Sequence, residues 1–405
     1  MAVNLPPLAA LRPVRGVRIG TACAGIKQTQ RDDLVVMALA NGTRVAGVFT
    51  QSAFKAAPVR ICQEHLTDSM PRAILINSGN ANAATGQAGI DDALQCCRWV
   101  AELLGVDARS VLPFSTGVIG QRLPLPKFAA GIPIACGNLN RGWDYAARAI
   151  MTTDTGPKAV SKSIDVGGKA VTITGIAKGA GMIRPDMATM LAYVATDAVV
   201  SQRCLDGLVR EAADASFNRI TVDGDTSTND SFVLIATGAA GNATIESLSQ
   251  CGYAELRGAI IHVARELAQR IIRDAEGATK FVTVTVEGGR TEAECLAVAY
   301  TVAESPLIKT AMFASDPNWG RFCMAIGRAG VDGLDPARVA LFLDDVCVAC
   351  GGMIAPSYTE QAGAKVMAQA EFTVRIDLGR GTAWDTVWTC DFSYDYVRIN
   401  AEYRT

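Results

Sequence analysis

Apolar and polar positions change period along the chain, and each change predicts an element. Residues 33–38 and 44–50 read as strands joined through Asn41-Gly42, the dipeptide that favours a tight hairpin turn. Residues 73–76 predict a short buried strand, followed by a polar loop, 77–82, with no apolar side chain larger than alanine. Residues 90–104 have helical period and are stopped by Gly105. A second strand-to-loop transition covers 111–120, a helix 143–151, and an alternating strand 170–177. Residues 191–196 predict a strand, and 201–215 a helix with Leu205, Leu208, Val209 and Ala212 on one face. A polar loop at 223–230 precedes the strand 231–237. A long helix, 253–273, carries Leu256, Ile260, Val263, Leu267 and Ile271 as its apolar stripe. A strand reaching Val286, a helix at 292–302 and a mostly β tail complete the pattern; Phe372, Val374 and Ile376 alternate with polar residues as in a half-buried strand. Strands and helices mix without βαβ regularity, which predicts an α+β fold of mixed sheets covered by helices. Its two halves are expected to meet near Thr189.

Composition narrows the function. At 405 residues and 49% hydrophobic, with only 19% charged, the chain is too apolar for disorder. A net charge of −2 offers no basic field for nucleic acid. No apolar run is long enough to span a membrane, and the first 20 residues lack the apolar core of a secretory signal. The expected setting is therefore the cytosol, with neither nucleic acid nor membrane as partner. The 12 cysteines do not form a disulfide framework; several, including Cys62, Cys204, Cys323 and Cys347, lie in apolar runs and read as buried free thiols. Cys347 and Cys350 form a single C-x-x-C inside a strand-like run with no second pair, which makes a poor zinc or redox site.

Only two histidines exist. His262 sits on the flank of the long helix, and His65 lies in a short polar segment that reads as surface. Multi-histidine metal sites cannot be built, and neither phosphate-loop pattern is completed around Gly168 or Gly179. Asp223, Asp225 and Asp230 do not have calcium-loop spacing. No metal is expected. An enzyme built from this chain would need a nucleophile and base other than the Ser-His pair. Residues 178–191, KGAGMIRPDMATML, stand out, with small residues ahead of a strand-starting threonine. Such a hydroxyl can in principle attack the preceding carbonyl. Hydrolysis would then leave Thr189 with a free α-amine of pKa about 7.7, able to act as base. The bland reading, a plain strand-starting threonine, is open on local pattern alone, as ordinary turn chemistry is for the polar loops at Asn77, Ser115, Asp223 and Ser315.

The same segment resembles the self-cleavage motif of the ornithine acetyltransferase / glutamate N-acetyltransferase family of arginine biosynthesis. The resemblance extends in order through NSGNAN (77–82), FSTGVIG (114–120), IMTTDT (150–155), TVDGDTSTND (221–230), RDAEGATKF (273–281), SDPNWGR (315–321) and VRINAEYRT (397–405). One departure is Asp186, where the family commonly has asparagine; a carboxylate there is expected to alter the rate of cleavage without abolishing it. The resemblance implies a cut between Ala188 and Thr189, giving an α chain of residues 1–188 and a β chain of residues 189–405 that assemble as an α2β2 heterotetramer. It implies an α/β sandwich related to self-processing aminopeptidases, with an N-terminal-nucleophile mechanism. Thr189 would be the nucleophile, Thr116 and Gly117 the oxyanion-hole pair, and Thr152, Lys178, Thr189, Glu276, Asn400 and Thr405 the substrate-binding positions. On charge grounds, Lys178 would face the substrate carboxylate and Glu276 the cationic amine. The implied reaction passes acetyl from N2-acetyl-ornithine to glutamate without a cofactor. The chain's likeness to bacterial bifunctional members implies acetyl-CoA as a further acetyl source. A monofunctional transferase, a self-processing amidase or aminopeptidase, and an uncleaved binding protein remain alternatives at this level.

Overall fold

The computed structural model describes residues 2–184 and 190–402. Ala188, Thr189, Asp186 and Thr405 lie outside the described residues. The chain divides into two compact units, one of residues 7–218 and 226–271, the other of 1–6, 219–225 and 272–403.

The larger unit holds strands β1 (Val17–Ala22), β2 (Leu34–Leu39), β3 (Arg44–Phe49), β4 (Ala73–Asn80), β5 (Val111–Val118), β6 (Lys158–Val166), β7 (Lys169–Lys178), β8 (Leu191–Thr196) and β9 (Ser231–Ala236). Its helices are α1 (Ala57–Asp68), α2 (Gly86–Leu104), α3 (Leu125–Gly137), α4 (Trp143–Ala149), α5 (Gln202–Asp214) and α6 (Tyr253–Arg273). The strands form two mixed sheets, ordered β1-β2-β4-β5 and β3-β9-β8-β7-β6. One core lies between them: Met37, Ile74, Ile76 and Phe114 from the first sheet pack with Ile176, Tyr193, Val233 and Ile235 from the second. The Phe114 and Tyr193 rings meet edge to face at 5.2 Å, a geometry worth about 1 kcal/mol beyond area burial. Alternate residues of the first sheet, Leu34, Val36 and Leu75, face a second core with Ala93 and Val100 of α2 and Phe128 and Ile132 of α3. Strands buried on both faces explain the continuous apolar run of β2, LVVMAL. On the second sheet Gly175 leaves room for α6, since a Cβ there would lie 2.9 Å from Leu267 and 3.0 Å from Val263.

The smaller unit has β10 (Phe281–Gly289), β11 (Ala340–Leu343), β12 (Val346–Cys350), β13 (Met353–Ile354), β14 (Glu371–Asp377) and β15 (Ala383–Cys390), with α7 (Glu292–Ala303), α8 (Pro306–Ala314), α9 (Trp319–Gly327), α10 (Glu360–Met367) and α11 (Tyr394–Glu402). Its sheet runs β13-β12-β11-β14-β10-β15, with β10 and β14 parallel. Val282, Val284 and Val286 pack under Cys295, Val298 and Val302 of α7 in its own core. The α+β class expected from the sequence is the observed one. Two parallel crossovers, β4-α2-β5 and β8-α5-β9, sit within otherwise antiparallel sheets.

Several expectations need correction. Asn41-Gly42 does turn, with Gly42 at φ +79°, but no hairpin follows. Strand β2 pairs with β1 and β4, whereas β3 pairs with β9 in the other sheet. A turn dipeptide fixes a reversal, not a partner, and both strands instead send side chains into the inter-sheet core. His65 is buried, not on the surface; its Nδ1 lies 2.8 Å from the Val111 carbonyl. Cys62 and Cys204 are buried as expected, but Cys323 is exposed, because α9 buries Phe322, Ala325 and Ile326 on its other side. His262 stays on the exposed flank of α6.

Candidate active site

Strands β4 and β5 end side by side, and their ends are polar by necessity. Ser78 pairs with Thr116 and Gly79 with Gly117. Gly117 has φ +134°, and a Cβ there would fall 2.3 Å from the Gly79 carbonyl carbon; only glycine allows this close approach. Beyond the strand ends, asparagines replace the lost ladder. Asn77 Nδ2 donates to the Asn80 carbonyl at 2.8 Å, and Ser115 Oγ donates to Asn77 Oδ1 at 2.6 Å. Asn229 Nδ2 donates to the carbonyls of Ala81 and Ser115 at 2.6 and 2.8 Å, tying three of the sequence motifs together.

Lys178 ends β7. Its Nζ donates to Thr116 Oγ1 at 3.1 Å, so two expected site residues meet. Thr116 accepts there and keeps its own O–H to donate. Leu191, which opens β8, pairs with Lys178. The Met190 carbonyl accepts from Ser231 N at 2.8 Å, and the Arg184 carbonyl from Thr226 Oγ1 at 3.0 Å. The loop after Asp225 therefore grips the chain on both sides of residues 185–189.

Thr152 is held by a residue that sequence reasoning did not single out. Asp154 Oδ2 accepts from Thr152 N at 2.9 Å, while Oδ1 accepts from Lys158 Nζ at 2.6 Å and Gly179 N at 2.8 Å. The side chains of Asp154 and Lys158 are fully buried. Burial alone would raise the Asp154 pKa, but Lys158, Lys178 and the Gly179 N–H outweigh it and hold the carboxyl well below the usual carboxylate range. Asp230 goes the other way. Burial pushes its carboxyl well above the ordinary value, against the opposing pull of Ser227 and Lys178. Asp154 lies within the IMTTDT motif, so its presence was visible; its burial was not.

In the smaller unit, Glu276 and Asn400 come together: Asn400 Nδ2 donates to Glu276 Oε2 at 2.9 Å. Gly277, at φ +68°, lets α11 approach, since a Cβ there would sit 2.4 Å from Tyr396 N. Asp391 holds the same loop by accepting from Thr279 N and Lys280 N at 2.8 and 2.9 Å. Tyr396 stacks on Phe392 and donates to Asp223 Oδ2 at 3.4 Å; burial first, then Asp223, raises its pKa. Among the described residues no group of three or more His, Cys, Asp or Glu side chains is placed to hold a metal ion. No helix of the described residues is long and apolar enough to cross a membrane.

Fold and site define a layered α+β protein whose polar chemistry gathers at strand ends, with a lysine in contact with a threonine that precedes a glycine of positive φ. The chain belongs to the ArgJ family, whose model matches residues 18–405. It is 54% identical to the arginine biosynthesis bifunctional protein ArgJ of Pseudomonas syringae pv. tomato (strain ATCC BAA-871 / DC3000), over the whole of both chains. Among solved structures it is similar to the arginine biosynthesis bifunctional protein argJ of Bacillus halodurans, at 34% identity and TM-score 0.50, covering 52% of this chain and 98% of that one. It is also similar to ornithine acetyltransferase of Mycobacterium tuberculosis complexed with ornithine, at 38% identity and TM-score 0.38, covering 43% of this chain and 94% of that one.

Proposed function

We propose that this protein transfers an acetyl group from N2-acetyl-ornithine to glutamate in arginine biosynthesis, and also acetylates glutamate from acetyl-CoA. The observation that carries the reading is the strand-end geometry on which the family's motifs converge. Lys178 contacts Thr116, which is followed by Gly117, and pairs with Leu191, two residues after Thr189. The relative in Bacillus halodurans supports a cut chain: 98% of its solved chain matches only 52% of this one, so that chain is about half as long.

In this reading Thr189 Oγ attacks the Ala188 carbonyl and the acyl group shifts from nitrogen to oxygen. Water then hydrolyses the ester, leaving residues 1–188 with a new carboxylate and Thr189 with a free α-amine. That amine, with an ordinary pKa of about 7.7, takes the hydroxyl proton as Oγ attacks the acetyl carbonyl. Thr116 O–H and Gly117 N–H stabilise the oxyanion. Collapse returns the proton to the leaving amine, ornithine departs, and acetyl-Thr189 remains until the amine of glutamate takes the acetyl group. Lys178 and Thr152 bind the α-carboxylate; Glu276, with Asn400 and Thr405, takes the cationic side chain of ornithine. No cofactor is needed. The cut chains assemble as α2β2 in the cytosol.

Purified protein given acetyl-ornithine and glutamate should release ornithine and N-acetylglutamate in equal amounts, and Thr189→Ala should do neither. Acetyl-CoA with glutamate alone should also give N-acetylglutamate. Acetate release independent of glutamate would instead identify a hydrolase.

A further inference from the structure

Two cations stand next to this site with donors to spare. Lys27 Nζ donates to the carbonyls of Ala149 and Met151 at 3.2 and 2.6 Å, and Arg31 Nη2 to the carbonyl of Thr152 at 3.0 Å. Both therefore rest on the segment that carries Thr152. An ammonium has three donor protons, and Lys27 uses two of them here. Arg31 Nε is buried with no hydrogen-bond partner among the described residues, a costly state for a charged group's donor.

The nearby carboxylates Asp33 and Asp154 favour the Lys27 charge through space, but their hydrogen bonds go elsewhere. Asp33 spends its oxygens on the backbone N–H groups of Ala24, Ile26 and Lys27. Asp154 spends its own on Thr152, Lys158 and Gly179. The Lys27 stem lies over Gly79, where a Cβ would come within 2.9 Å of Lys27 Cγ. Gly79 is the strand partner of Gly117, so this lysine is built into the wall of the strand-end site.

We propose that Lys27 and Arg31 bind the second carboxylate of a dicarboxylic acyl acceptor, and so determine which amino acid receives the acetyl group. The inference rests on the acetyl-transfer reading and deepens it. Donor and acceptor share an α-carboxylate, which one cation can serve in both. They differ at the other end, where the donor carries an ammonium and the acceptor an anion. That anion needs its own cations, and Lys27 and Arg31, close enough to repel each other, supply two whose repulsion a carboxylate would offset. Burial, then Arg31 and Lys178, against Asp33 and Asp154, lower the Lys27 amine to about 7, so it gains a proton readily when an anion arrives.

The test compares Lys27→Met and Arg31→Lys with the wild type, using glutamate and its uncharged isostere glutamine as acceptors from acetyl-ornithine. The KM for glutamate should rise roughly 10- to 100-fold, far more than the KM for acetyl-ornithine, and the preference for glutamate over glutamine should fall by a similar factor. An unchanged preference, or two KM values rising together, would overturn the subsite. If Lys27→Met does not fold, Arg31→Lys keeps the charge and loses only the planar fork, and gives the same readout. Absence of any acetyl-enzyme in the wild type would instead overturn the transferase reading.

Discussion

Asp154 shows how one side chain can order a site. Its carboxylate meets Lys158, the Gly179 N–H and the Thr152 N–H within one buried cluster. Asp154→Asn breaks the buried 2.6 Å ion pair with Lys158, which should cost about 3–5 kcal/mol and appear as a lower Tm. The carboxyl's pKa is depressed on folding, so its contribution is complete above the ordinary carboxylate pKa of about 4 and is lost as pH falls toward the folded value. A stability profile of the asparagine variant should lack that acid slope. Lys27 has a linkage of the same sign in a higher window. Its pKa falls from 10.5 to about 7 on folding, so the unfolded chain binds more protons between those values and the stability tied to this residue rises across that window. Lys27→Met should flatten that rise in a Tm series from neutral to alkaline pH. Thr116→Ala removes the proposed oxyanion donor and should lower kcat about 100-fold, with a smaller change in KM; an unchanged kcat would remove Thr116 from that role. At this scale the sequence was read unevenly. The motifs singled out Thr116 and Lys178, which the fold brings together, while the proposed subsite of Lys27 and Arg31 carries no local signature. His65 was misread because a polar neighbourhood in sequence says nothing about the Val111 carbonyl that lies 2.8 Å from its ring nitrogen.

Elements decide what the proposed cut does. Strand β7 pairs with β8 from Ile173–Thr196 to Lys178–Leu191, and β3 pairs with β9 from Arg44–Ala236 to Phe49–Ser231. The first strand of each pair precedes Thr189 and the second follows it. Fragments produced at Ala188-Thr189 should therefore stay together in size-exclusion chromatography and separate only in denaturant. Elution of separate fragments in native buffer would contradict this pairing. Periodicity made α2, α5 and α6 legible, because each buries a single stripe; Gly105, in the left-handed region at φ +65°, marks the end of α2 as expected. Periodicity did not reveal which strands pair, since β2 and β3 are apolar on both faces and neither names its neighbour. The hairpin failed for that reason.

For the whole molecule, the compact units do not follow the proposed chain boundary. The larger unit contains strands from both sides of Thr189, so cleavage changes covalent connectivity without dividing a core. The proposed α2β2 assembly predicts a solution mass about twice the 42.6 kDa of one chain, readable by sedimentation equilibrium. The role proposed for Thr405 predicts that Thr405→Ala raises KM for acetyl-ornithine; an unchanged KM would contradict it. The α+β class was legible from the mixture of periods, whereas the two-sheet packing was not, because the core between the sheets joins residues as distant as Val35 and Ile235.

The central claim is covalent, and intact-protein mass spectrometry of active enzyme under denaturing conditions tests it most directly. The account predicts two fragments that meet between Ala188 and Thr189, with the Thr189 fragment heavier by one acetyl group after brief exposure to acetyl-ornithine. A single full-length mass in fully active material would contradict it.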